Sequence, residues 1–169
     1  MSTKHSKAAA RFIGNRKQEA WHDETLWMVR AKRDKMSHSL PEWERLRELA
    51  CEIKLYSNSH LDVLLEEFEK NATANGAIVH WAKDAAEHNA IVEEILQQHK
   101  AHTLIKSKSM LTEECGMNDY LFGKGYDIIE SDLGERILQW MKLHPSHIVM
   151  PAIHIKRQEV GEMMERVLG

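Results

Sequence analysis

The chain has 169 residues, of which 43% are hydrophobic and 29% charged, with a formal net charge of −3. That length suits one domain of ordinary size, or one domain plus an appendage, and that composition reads as a soluble, globular chain able to bury a real core. No apolar run approaches the roughly 20 residues of a membrane span, and the opening "MSTKHSKAAARFIG" has no long apolar stretch or cleavage site of a secretory signal.

The charge is uneven. Residues 1–36 carry nine Lys/Arg against four Asp/Glu, a net of +5, which leaves −8 for the remainder. A basic arm can serve nucleic acid, but this one has no basic run longer than two and has apolar residues at helical spacing. The expectation is no nucleic-acid binding; an arm docking on an acidic body, its own or a partner's, accounts for the asymmetry. Cys51 and Cys115 have no metal-ligand spacing and read as reduced thiols, so the expected location is cytoplasmic.

Residues 1–75 read as a helical region. "RKQEAWHDETLWMVRAKRDKM" contains no Gly or Pro. In "SHSLPEWERLRELACEIKLYS", Ser39 and Glu42 have capping-box spacing and Pro41 falls in the first turn. Trp43, Leu46, Ala50 and Ile53 then form one stripe, which predicts an apolar partner surface. A third helix is predicted from Ser59, through Leu61, Leu64, Leu65 and Phe68, with Gly76 as its stop.

From residue 76 to 169 the rhythm changes. Strands are predicted at 77–82, 103–107, 126–131 and 147–151, alternating with helices that start near Asp84, Met110, Asp132 and Ile155. This βαβαβαβα order predicts an α/β domain with a parallel sheet of at least four strands and flanking helices, because the short apolar runs do not alternate with polar residues.

In an open parallel sheet, ligands collect beyond the carboxyl ends of the strands. "KSKS", Lys106 to Ser109, lies at such an end and supplies two cations and two hydroxyls. With Asp132 and Glu135 on the next strand-to-helix turn, it forms the candidate site for a small anion: Lys106, Ser107, Lys108, Ser109, Asp132 and Glu135. The structural alternative is a Ser109 cap, an Asp132/Glu135 capping pair and solvated lysines. No Gly-rich phosphate loop is present. Glu113 and Glu114 are adjacent on a helix and point to different sides. His144, His147 and His154 are spaced across a proline and a predicted strand, so no metal site is expected. No catalytic set emerges from residue order.

"KSKSMLTEE", "ESDLGERILQ" and "HPSHIVMPAIHIKRQEV" together resemble the N-terminal part of the lactate utilization protein B family, iron–sulfur subunits of a bacterial three-part L-lactate oxidation system. The resemblance includes "GAIVHWAKDAAE" and spans most of the chain from about residue 20. It implies a lactate-utilization (LUD) domain at 76–169, similar in fold to the sugar-phosphate isomerase and coenzyme A transferase group. It further implies partners among the other lactate-system subunits, and a component of an oxidoreductase complex rather than a catalyst alone. Family members continue into a ferredoxin-like region whose Cys runs bind [4Fe–4S] clusters. These 169 residues hold no such run, so the expectation is an incomplete domain with no cofactor of its own, the clusters belonging to the full-length family protein. The alternative is a stand-alone isomerase- or transferase-like enzyme acting on a phosphate or carboxylate substrate.

Overall fold

The computed structural model describes the backbone of residues 2–169 and the side chains of residues 6, 7 and 9–169. It is mostly helical, with a small parallel sheet. Helices α1 (Ser2–Gly14), α2 (Arg16–His38), α3 (Trp43–Ser59), α4 (Leu61–Ala74) and α5 (Ala85–Gln98) precede strand β1 (Thr103–Lys106). Helices α6 (Met110–Glu114) and α7 (Met117–Gly123) lead to β2 (Asp127–Glu130), followed by α8 (Leu133–Met141) and α9 (Arg157–Leu168). The chain divides into two compact units, residues 28–81 and residues 1–27 with 82–169.

In the larger unit, β1 and β2 pair in parallel with Thr103 opposite Asp127 and Lys106 opposite Glu130. A parallel pair needs a crossover, and α6 and α7 supply it. A single helix was predicted there; the chain instead breaks at Gly116, whose φ of +61° suits a residue without a Cβ. Asn89 on α5 anchors this break by donating to the Cys115 carbonyl at 2.8 Å. Leu96, Met117, Leu121 and Ile128 pack together as a core, flanked by Val92, Leu104 and Tyr126. Leu121 and Ile128 are 0% and 1% exposed, so these short elements are held by burial rather than by length.

The predicted sheet of four or more strands is corrected to two strands among the described residues. Residues 77–82 carry no strand, and Ile78 is 82% exposed. Residues 147–151 form bends and a turn. There the backbone N–H groups of Val149 and Met150 both donate to His147 Nδ1 at 3.1 Å, so a local turn takes groups a ladder would have used. On the outer side of β2, the Gln139 side-chain amide donates to the Ile128 carbonyl at 2.6 Å and accepts from the Glu130 N–H at 3.4 Å.

The basic N-terminal segment 1–27 groups with residues 82–169. Its contacts include rings as well as charge. Phe12 meets His22 edge-on at 5.4 Å, His22 meets His154 at 6.4 Å, and the Lys156 ammonium lies 5.2 Å from the Trp21 ring centre.

In the unit of residues 28–81, α3 and α4 pack on one another. The Ser39/Glu42 capping box does not form. Helix α2 runs on to His38, and the Ser39 hydroxyl donates back to the Met36 carbonyl at 2.7 Å instead. Ser59 ends α3 rather than starting the next helix. Among the described residues none of α3 or α4 is buried, and Trp43, Leu46 and Ile53 are 37%, 44% and 56% exposed.

Candidate functional site

The last residues of the two strands build the polar centre. Parallel register sets Lys106 beside Glu130, and the Lys106 ammonium lies 2.5 Å from Glu130 Oε1, with both side chains over 90% buried. Glu113 on α6 adds a second carboxylate at 3.5 Å from the same ammonium. Asn118 on α7 ties the group together, its side-chain N–H donating to Glu130 at 2.8 Å and to Glu113 at 3.3 Å. Charges this far from water persist only when paired and hydrogen-bonded.

Lys108 belongs to the adjoining part of the centre. Its ammonium lies 3.5 Å from Asp132 and 3.8 Å from Glu135. The ammonium nitrogen is buried, and both contacts are long ion pairs rather than close hydrogen bonds. Asp132 caps α8 by accepting from the Glu135 N–H at 3.1 Å. That bond, with Lys108 beside it, holds the Asp132 carboxyl below its ordinary value despite some desolvation. Glu135 turns inward and is 7% exposed. Burial, and next the neighbouring Glu130 carboxyl, push its pKa up.

Of the predicted residues, Lys106, Lys108, Asp132 and Glu135 thus join one ion-paired cluster. Ser109 caps α6, accepting from the Thr112 N–H at 3.5 Å, and Ser107 is exposed. Sequence reasoning missed Glu113, Asn118 and Glu130. Glu130 was legible in principle as the residue before the last of the strand predicted at 126–131, next to Lys106 if the two strands pair. Asn118 follows Met117 in a helix whose apolar side is buried, a setting in which a polar side chain needs a partner.

A cavity of about 550 Å³ opens beside the cluster, lined among others by Glu113, Asn118, Glu130, Glu135, Gln139 and His144. The other predicted histidines take separate parts. His154 is 8% exposed and bonds the Ser146 hydroxyl at 2.7 Å, while His147 organises the turn already described. Among the described residues no three His, Cys, Asp or Glu side chains are placed to hold a metal ion. Cys51 is exposed and Cys115 half-buried, and both are free thiols. Two cysteines do not fit a [4Fe–4S] cluster, which takes four thiolates. Among the described residues no helix is long and apolar enough to cross a membrane.

Comparison with known proteins places the chain in a family. The LUD domain model matches residues 65–168. The chain belongs to the LUD domain family. It is 41% identical over 135 residues to lactate utilization protein B of Bacillus pumilus (strain SAFR-032), covering 79% of this chain and 28% of that protein. It is 38% identical over 141 residues to an uncharacterized electron transport protein, YkgF, of Escherichia coli (strain K12), covering 83% and 30%. Lactate utilization protein B of Macrococcus caseolyticus (strain JCSC5402) is 37% identical over 142 residues, again 83% and 30%. The chain therefore spans under a third of the length of these curated relatives. No solved structure matches.

Proposed function

We propose that this chain serves lactate utilization in the cytoplasm, as the LUD part of an electron-transfer assembly that oxidises L-lactate to pyruvate. The observation that carries the reading is the 41% identity to a lactate utilization protein B across 79% of the chain, joined to a family match over residues 65–168. Oxidation of lactate to pyruvate releases two electrons and two protons. The clusters that would conduct those electrons need thiolates from outside these 169 residues, which hold two cysteines. The part played here is binding: contact with the other subunits of the lactate system and with a small anion. For an anion, Lys108 is the candidate cation, with Ser107 and Ser109 on either side, and its ammonium, buried beside Asp132 and Glu135, would have to turn away from those carboxylates to meet the ligand. Lys106 is committed to Glu130 and Glu113.

Deleting the gene and restoring it on a plasmid tests the reading. The expected result is loss of growth on L-lactate with normal growth on pyruvate, restored by the intact gene. Normal growth and undiminished L-lactate-dependent dye reduction in extracts of the deletion strain would overturn it.

A further inference from the structure

We propose that the N-terminal segment 1–27 is an acid-released arm, held on residues 82–169 by two facing histidines, His22 and His154, and let go when they take up protons. Arm and body form one compact unit. His22 on α2 meets His154 edge-on at 6.4 Å, and the Lys156 ammonium lies 5.2 Å from the centre of the Trp21 ring. Phe12 of α1 packs edge-on against His22 at 5.4 Å, so the same imidazole touches both α1 and the body.

This junction accepts neutral rings and rejects charged ones. His154 is 8% exposed, and its Nδ1 is bonded to the Ser146 hydroxyl at 2.7 Å. His22 Nε2 is buried without a hydrogen-bond partner, so a protonated nitrogen there would have no acceptor. The groups that face His154 are His22 from α2, Glu159 from α9 and the Pro151 carbonyl. Glu159 already accepts the Lys156 backbone N–H at 2.7 Å in the cap of α9. Two protonated imidazoles would stand 6.4 Å apart, with the Lys156 cation over the ring of the residue before His22.

Release removes these costs by bringing both imidazoles to water. Burial first, and His22 second, hold His154 below its ordinary 6.5. The docked arm therefore binds the proton less readily than the released one. Docking is complete above about pH 6.5 and weakens as the pH falls toward the docked-state value. The body keeps its own core meanwhile, because Leu96, Met117, Leu121 and Ile128 all come from residues 82–169. Loss of the arm is thus a local opening rather than global unfolding.

Hydrogen–deuterium exchange of the whole chain, corrected for the intrinsic effect of pH and followed from about pH 7.5 down to about 5, tests this across the histidine range. Helices without packing are marginal, so an undocked α2 loses protection. The expected result is that protection of residues 18–25 falls by up to about tenfold per pH unit for each proton taken up, while residues 117–121 keep theirs. A His22→Phe, His154→Gln double variant has no proton to take up at the junction and should keep the arm protected to the acid end. Arm protection that stays constant in wild type, that falls in step with residues 117–121, or that falls at the same midpoint in the double variant would each overturn the proposal. The comparison of arm with core is made on the wild-type chain, so it decides the matter even if the variant does not fold.

Discussion

Lys106 and Glu130 are the final residues of two parallel strands, stand opposite one another in register, and form an ion pair at 2.5 Å. The sheet ends in a buried charge pair because strand pairing itself brings the charges together. Lys106→Met would leave Glu130 buried without its cation, at a cost of about 3–5 kcal/mol. Adding Glu130→Gln to that variant should recover part of the loss, since the charge that suffers is then gone. Urea unfolding of wild type, single and double variants measures this. A single variant within about 1 kcal/mol of wild type would show that the pair contributes little.

Acid should weaken the fold through His154. Burial, with His22 nearby, lowers its pKa below the ordinary 6.5. The unfolded chain therefore binds the proton more readily. Stability from this group is full above about 6.5 and is lost as the pH falls from there to the folded-state value. Between pH 7 and 5 the urea midpoint of wild type should fall, and that of His154→Gln should fall less. Parallel slopes would remove His154 as the cause.

Gly134, in the first turn of α8, faces a proline. A Cβ added there would sit 2.9 Å from Pro151 Cγ and 3.3 Å from an Asp132 carboxylate oxygen. Ala would gain up to about 1 kcal/mol in helix propensity, but a ring has little freedom to retreat, and overpacking costs about 1–3 kcal/mol. Gly134→Ala is expected to lower the melting temperature; a rise would show that the 146–151 turn yields easily.

Trp43→Ala should cost less than about 2 kcal/mol, short of the roughly 3–5 for a fully buried Trp, because the ring is 37% exposed on a helix with no buried residue among those described. The stripe of Trp43, Leu46, Ala50 and Ile53 predicted an apolar partner, and thermal unfolding of the variant reads whether one covers it. A loss in the larger range would mean that it is covered in solution.

Anaerobic reconstitution of the purified chain with iron and sulfide should give no stoichiometric cluster, since two cysteines cannot supply four thiolates. Iron and acid-labile sulfide analysis checks this, and a bound cluster would require ligands of another kind.

What the sequence made legible was local chemistry. Asp84 and Asp132 cap their helices, accepting from the N–H groups of Glu87 and Glu135 as their spacing predicts, because a cap needs only residues three apart. β1 and β2 fall inside the predicted runs. Residues 77–82 and 147–151 were equally apolar, but an apolar run becomes a strand only when another strand supplies its hydrogen bonds. The approach of Lys108 to Asp132 and Glu135 followed from placing strand ends together, whereas Lys106 turns to Glu130 and Glu113 instead. The parts played by Glu113, Asn118 and Glu130 depend on register and on the rotation of α6 and α7, which spacing along the chain does not encode.

Gln139 gives the small sheet its boundary. Its amide bonds the Ile128 carbonyl and the Glu130 N–H, the pair of groups a neighbouring peptide unit would take. The side chain imitates one rung of a third strand and stops there. An open strand edge offers unpaired groups to any strand that approaches it; here one amide already occupies two of them, and its Arg136 contact holds that amide in position.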